Sequence, residues 1–388
     1  MDYLGISPGQ LEEAGGYWTA REISQQPATW TKVQRIAESD AAALTVFLEP
    51  LLKRKEIRIV LTGAGTSAFV GECLAPALTR RTGLRVDAVA TTDIVGSPRT
   101  WLPQATPTLL VSFARSGNSP ESVAALALAE QAIGECHHLI VTCNKEGALY
   151  RQAQSVRNSH VILLPEEAND RGFAMTSSFS GMLLAAALAF DLLDSDAHAP
   201  VKLARWADET LAALIDSIET LARTGFERVV YLGSNELRGL AREAALKMLE
   251  LSDGRIVAVA ETPLGFRHGP KTIINRKTLV VLLHCHDPYT RRYETDLLNE
   301  LRADGIAGRI IALTGDATRG SRHPDDLVLP GVAAASDLRL CFPYAVFVQT
   351  LAFFQSLRLA LRPDQPNAAG TVNRVVQGVS IYPWDGSR

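Results

Sequence analysis

The chain has 388 residues, of which 47% are apolar and 21% charged, and its formal net charge is −3. That length supports two or three domains with cores of their own. The charge balance excludes a general electrostatic grip on nucleic acid, so an anionic ligand has to be met by local donors.

In chain order, the opening "MDYLGISPGQ" lacks the basic start and apolar core of a signal peptide. Residues 1–45 read as a polar helical extension, with a capping box between Thr19 and Glu22 and a proline break at Pro27. From Arg58 the pattern alternates between strand and helix. "RIVLTGAG", "TLLVSFARSG", "HHLIVTCN" and "HVILLP" are apolar runs of the kind a buried parallel strand needs. Helical stretches such as "SPESVAALALAEQAI" separate them. The run "GMLLAAALAF" from Gly181 is about half the length that crosses a bilayer, so no membrane association is expected.

The set then recurs. "RVVYLGSNE" from Arg228 echoes "RIVLTGAGT" from Arg58, and "KTLVVLLHC" from Lys277 echoes "PTLLVSFAR" from Pro107. "GRIIALTGD" from Gly308 echoes "HHLIVTCNK" from His137, and "DLVLP" echoes "VILLP". Four matched strands in one order, at a nearly constant offset of about 170 residues, predict two copies of one doubly wound α/β unit. The expected segments are the extension 1–45, a first unit 46–215, a second unit 216–362 and a tail 363–388.

The cysteines, Cys73, Cys136, Cys143, Cys285 and Cys341, include no C-x-x-C pair and read as reduced thiols in a cytoplasm. "HCH" at His284–His286 suggests a metal site, but on a strand its histidines share a face with Cys285 opposite. A plain strand is the better reading, and no metal is expected.

Ligands on such sheets bind beyond the carboxyl ends of the strands. Two loops lie there in the first copy. "TGAGTSAF" sets Gly63, Gly65, Thr66 and Ser67 before a helix, and "RSGNSPES" sets Ser116, Gly117, Asn118 and Ser119 before another. Ser119 suits an N-cap and Pro120 a first helical position. Free N–H groups and serine hydroxyls there suit a phosphate, whereas Glu121 would repel one unless it points away. Tight turns with serine caps are the plain alternative. The second copy has "LLHCHDPYT" at the equivalent of the second loop, with no serine–glycine turn. "GAGTSA" also fits a dinucleotide fingerprint, with Asp87 and Asp93 as candidate ribose acids. The two serine loops favour a small phosphomonoester instead.

In "LRGLAREAALKMLELSDG" Glu243, Lys247 and Glu250 fall at i, i+4 and i+7 on one helix face. A solvated, salt-bridged face is the alternative there. "ETPLGFRHGPK" is a Pro/Gly-rich loop that gathers Arg267, His268 and Lys271, a setting suited to acid–base chemistry.

Together "GAGTS", "SGNS", "ALKMLELS", "FRHGPK" and the tail "DQPNAAGTVNRVVQG" resemble the sugar isomerase (SIS) family. With "RGFAMTSS" and "PLGFRHGP" the full length resembles its bacterial galactosamine-6-phosphate deaminase/isomerase branch. The resemblance implies a flavodoxin-like fold for each half and a homo-oligomer, dimer or tetramer, with active sites between subunits. By resemblance, Ser67, Ser116 and Ser119 bind phosphate within the turns Gly65–Ser67 and Ser116–Ser119, and Thr176 and Ser177 contact the sugar. Glu250 moves the proton between C1 and C2, with Lys247 one turn before it. His268 opens the ring, in relatives from a neighbouring subunit.

Three departures stand out. Ala114 replaces a frequent serine, two extra residues separate Glu250 from His268, and Gln377 aligns with a tail lysine of the family. Arg374, three residues earlier, is the candidate to take over that lysine's charge. The activity implied is conversion of D-galactosamine 6-phosphate to D-tagatose 6-phosphate and ammonia without a cofactor. A non-deaminating aldose–ketose isomerase and a sugar-phosphate sensor are the alternatives. The sensor is disfavoured because Glu250 and His268 are both present and no helix-turn-helix segment or basic arm is visible.

Overall fold

In a computed structural model that describes residues 2–315, 323–376 and 378–386, ten strands form two five-stranded parallel sheets. The first holds β1 (Arg58–Thr62), β2 (Arg85–Ala88), β3 (Thr108–Ala114), β4 (Cys136–Thr142) and β5 (Ser159–Leu163) in the order β2-β1-β3-β4-β5. The second holds β6 (Arg228–Leu232), β7 (Val257–Glu261), β8 (Thr278–Leu283), β9 (Arg309–Thr314) and β10 (Leu327–Val328) in the order β10-β9-β8-β6-β7. Numbered from its own first strand, each sheet runs 2-1-3-4-5, the flavodoxin order, so the expected repeat of one doubly wound α/β unit holds. The order reverses between β1 and β3, and again between β6 and β8. At those points successive crossovers leave by opposite faces, and a crevice opens at the carboxyl ends.

Burial explains the strand chemistry. β1, β3 and β8 are buried at every position and are built mostly of aliphatic residues. β2 and β7 are edge strands with exposed or half-buried positions, and β2 accordingly carries Arg85 and Asp87.

By contact density the chain divides into two compact units, each discontinuous in sequence. The first-sheet unit comprises Ala28–Asp170, Ser177–Ser195 and Ala369–Arg388; the second-sheet unit comprises Met1–Pro27, Arg171–Thr176 and Asp196–Ala368. In the first, the apolar helix Ser177–Ala189 is buried along almost its whole length and packs against the helix Thr66–Thr82. In the second, Asp337–Arg358 packs against Ala199–Arg223 and Glu236–Leu251. Asp337–Arg358 is the one helix among the described residues long and apolar enough to cross a membrane, and 94% of its most apolar window is buried in the protein. A helix apolar on all sides needs this central position. Its apolar residues are interrupted by Arg339, Gln349 and Gln355, so no uninterrupted apolar run marks it in the sequence.

The N-terminal helices correct two local expectations. Thr19 and Glu22 form no capping box. The helix Tyr17–Ser24 is capped by Asp364, whose carboxylate accepts the N–H groups of Trp18 at 3.0 Å and Thr19 at 2.7 Å. Glu22 is used elsewhere, accepting the N–H groups of Arg171 at 2.5 Å and Gly172 at 3.1 Å. Pro27 is the second residue of the helix Gln26–Leu52, so it starts a helix rather than breaking one.

Candidate functional site

The phosphate-type turns belong to the first-sheet unit. After β1 the chain passes Gly63 and Gly65 into the helix Thr66–Thr82. Gly65 sits at φ 55, ψ −127, a conformation open to glycine at little cost. A Cβ on Gly63 would lie 2.6 Å from the Ser67 backbone carbon, so only glycine lets the strand end and the first helical turn meet. Thr66 and Ser67 are buried at that turn.

After β3 come Arg115, Ser116, Gly117 at φ 65, and Ser119 at the N-cap of the helix Pro120–Ala132. Ser119 has N-cap dihedrals, but its side chain makes no capping bond, so its hydroxyl is not spent on the helix. The turn is held from the loop beyond β4. Asn144 Nδ2 donates to the Ser116 carbonyl at 2.8 Å, Leu149 N–H donates to the Gly117 carbonyl at 2.9 Å, and Ala148 N–H donates to Asn118 Oδ1 at 2.9 Å. Glu121 Oε2 is shielded from solvent, with no hydrogen-bond partner among the described residues.

Ser177 opens the buried helix Ser177–Ala189, with Thr176 just before it, and both are wholly buried. The organiser of this segment, missed in the sequence, is Asp170. Its carboxylate accepts the N–H groups of Ser177 at 3.0 Å and Ser178 at 2.9 Å, together with the Ser178 hydroxyl. The Asp170 carbonyl in turn accepts Arg374 Nε at 2.8 Å, and Arg374 Nη2 reaches Asn169 Oδ1 at 3.0 Å. Arg115 donates to the carbonyl of Arg374. Thus Arg374, expected to take over the tail lysine's charge, has its guanidinium committed to anchoring the tail. Gln377 lies outside the described residues.

The candidate acid–base residues belong to the second-sheet unit. Glu243, Lys247 and Glu250 lie along the helix Glu236–Leu251. Lys247 ion-pairs with Glu250, and its Nζ is 3.6 Å from Glu243 Oε1. The side chains of Glu243 and Lys247 are 0% exposed and that of Glu250 is 24% exposed. The solvated-face alternative therefore fails. A lysine is buried this deeply only when anions or strong acceptors surround it. Glu250 is the member of the row that meets solvent.

His268 sits on an exposed turn after the short helix Pro263–Phe266. Thr262 caps that helix, its Oγ1 accepting Gly265 N–H at 3.1 Å, and Phe266 anchors it in the core. Gly269 follows at φ 120.

At the second copy's counterpart of the serine turn, the protein supplies its own carboxylates. Glu294 accepts Cys285 N–H at 2.9 Å, and Asp337 accepts His286 N–H at 2.5 Å. Burial pushes both carboxyls above the usual range. "HCH" follows β8 rather than lying on it. Burial, with Arg291 adding to it, pushes the His284 imidazole down to about 3. Among the described residues, the His/Cys/carboxylate group compact enough for an ion is Glu130, Cys136 and His138, with ligand atoms within 4.8 Å of one another. It lies at the opening end of β4, away from the serine turns, and its buried imidazole already bonds Glu130 Oε1 at 2.6 Å.

Glycine–serine turns at the switch point of a flavodoxin-order sheet are suited to a small phosphorylated ligand. The SIS domain profile matches residues 51–192, and the chain belongs to the SIS family. It is 45% identical over 372 residues to the D-galactosamine-6-phosphate deaminase AgaS of Escherichia coli, covering 96% of this chain and 97% of that one. A Streptomyces coelicolor protein, provisionally given the same designation, is 50% identical over 387 residues, covering 97% of this chain and 98% of that one. The solved structure of a tagatose-6-phosphate ketose/aldose isomerase from E. coli superposes with a TM-score of 0.89 at 41% identity, covering 98% of this chain and 100% of that one.

Proposed function

We propose that this chain converts D-galactosamine 6-phosphate to D-tagatose 6-phosphate and ammonia as a deaminating aldose–ketose isomerase. The observation that carries the chemistry is the buried acid–lysine–acid row that ends on Glu250. The substrate comes from the names of relatives similar over nearly the whole chain.

In this reading the N–H groups and hydroxyls of Gly65–Ser67 and Ser116–Ser119 hold the 6-phosphate. Thr176 and Ser177 contact the sugar. His268 protonates the ring oxygen and opens the hemiacetal. Glu250 takes the C2 proton and delivers it to C1 through an enolamine-type intermediate. Lys247, held between two carboxylates, stabilises the charge that develops beside C1 and C2. The resulting ketimine is attacked by water and loses ammonia. The shift needs a positioned base and a fixed cation, so no cofactor or metal enters the proposal. Arg374 contributes charge only if it leaves Asp170 and Asn169; where it stands, it holds the tail.

We further propose a cytoplasmic homo-oligomer, dimer or tetramer, with His268 serving a neighbouring subunit. The second reading, isomerisation without loss of ammonia, is favoured by the name of the structural relative. Ammonia release from galactosamine 6-phosphate and from glucosamine 6-phosphate separates the readings and tests the sugar. Glu250→Gln should lose roughly a hundred- to ten-thousandfold in turnover with KM little changed. Near-normal turnover in that variant rules out the base assignment.

A further inference from the structure

We propose that Glu300, on the helix Thr290–Asp304, is a positioning residue for His268, gripping both flanks of the turn that presents the imidazole. This rests on the ring-opening role of His268 given above.

The geometry is specific. Arg267, one residue before His268, donates from Nε to Glu300 Oε2 at 2.8 Å. Lys271, three residues after it, pairs with Glu300 Oε1. Lys271 also reaches Asp304 Oδ2 at 2.6 Å, one helical turn further along the same face. One carboxylate thus closes the span 267–271 against a rigid helix, with each oxygen taking one flank. Among the described residues, His268 itself makes one hydrogen bond, from its backbone N–H to the Gly265 carbonyl at 2.9 Å.

The turn needs such a hold. On its N-terminal side Phe266 is fixed in the core, but on its C-terminal side comes Gly269 at φ 120. Glycine adopts that conformation without cost and leaves it as easily. A cavity of about 380 Å³ adjoins the turn, lined by its own Arg267, Gly269 and Lys271 together with Thr272, Leu301 and Ile306. The clamp's charges are about one-third exposed. Ion pairs of that exposure add little to global stability. Their consequence is geometric: a misplacement of about 1 Å costs roughly a hundredfold in rate.

The test uses the full-length enzyme and ammonia release from D-galactosamine 6-phosphate. Glu300→Ala should lower kcat roughly ten- to a hundredfold. KM should stay within about twofold and the melting temperature within about 2 °C. Glu300→Gln, which keeps the packing and an acceptor for Arg267, should fall between Glu300→Ala and wild type. It also stands in if the alanine variant does not fold. The deciding measurement is the double variant with His268→Asn. If Glu300 acts through His268, the pair turns over no more slowly than His268→Asn alone. Losses that multiply in the double variant overturn the proposal, as does normal kcat in Glu300→Ala while His268→Asn is slow. Wild-type turnover in His268→Asn removes the ring-opening role itself, and that result is distinct from failure of the clamp.

Discussion

Gly147 touches no candidate catalytic group, yet replacing it with alanine should weaken phosphate binding. It lies beyond β4 at φ −70 and ψ 146, ordinary extended backbone in which alanine is unstrained. The whole effect is therefore steric. A Cβ there would lie 2.7 Å from the Ser116 carbonyl oxygen, 3.1 Å from the Asn144 carbonyl oxygen and 3.1 Å from Gly117 Cα. All three are backbone atoms, and the Ser116 carbonyl is also tied to Asn144 Nδ2 at 2.8 Å. Relief requires the serine turn to retreat by roughly half an ångström or more. Overpacking of this kind costs about 1–3 kcal/mol of stability. If the displaced turn loses one charge-assisted hydrogen bond to phosphate, binding weakens by about 1.5–3 kcal/mol, or roughly ten- to a hundredfold. Competitive inhibition by inorganic phosphate and KM for the sugar phosphate are the assays, with thermal melting alongside. A lowered melting temperature with unchanged phosphate inhibition would show that the phosphate is not held by residues 116–119. No change in either would refute the steric argument.

Other outcomes follow from burial and polar pairing. Burial holds His284 neutral among Glu294, Arg291, His286 and Arg302, its folded-state pKa near 3 against about 6.5 unfolded. The unfolded chain takes the proton first, so this contribution to stability is present above about pH 6.5 and fades as pH falls toward 3. Wild type should therefore lose about 2 kcal/mol more than His284→Asn between pH 7 and pH 5 in chemical denaturation. Equal losses would show that His284 is not the titrating group. The Tyr231 hydroxyl is fully buried, with no hydrogen-bond partner among the described residues. Tyr231→Phe should accordingly be neutral or stabilising by up to about 1 kcal/mol, and a clear loss of stability would reveal a bond the hydroxyl makes. Asp364→Ala removes the cap from the helix Tyr17–Ser24 and should cost about 1–2 kcal/mol, read by denaturant midpoint.

Some of this could be read directly from the chain. The repeat was legible because buried parallel strands demand unbroken aliphatic runs. "RIVLTGAG" and "RVVYLGSN" announce the same strand-to-turn passage, and the structure gives β1 and β6 equivalent places in their sheets. The serine turns were legible because Gly65 and Gly117 need conformations that disfavour other residues. The burial of Glu243 and Lys247 was not. Their i, i+4 spacing is identical on a wet surface and in a core, and packing against Asp337–Arg358 belongs to the fold, not to the spacing. Long-range caps were equally hidden. Asp364 serves the helix Tyr17–Ser24 from the far end of the chain, whereas local spacing points to a capping box between Thr19 and Glu22.

The sequence by itself determined what is local and periodic: two doubly wound sheets, the glycine turns after β1 and β3, and an acid–lysine–acid row on one helix. Tertiary structure alone decided which charges lose their water and which distant carboxylates satisfy orphan backbone groups. Arg374 is occupied by Asp170 and Asn169, and Glu300 holds both sides of the His268 turn. The physical reason is range. Strand and turn preferences act over a few residues, whereas desolvation and hydrogen-bond satisfaction depend on whatever the folded chain brings within about 3 Å.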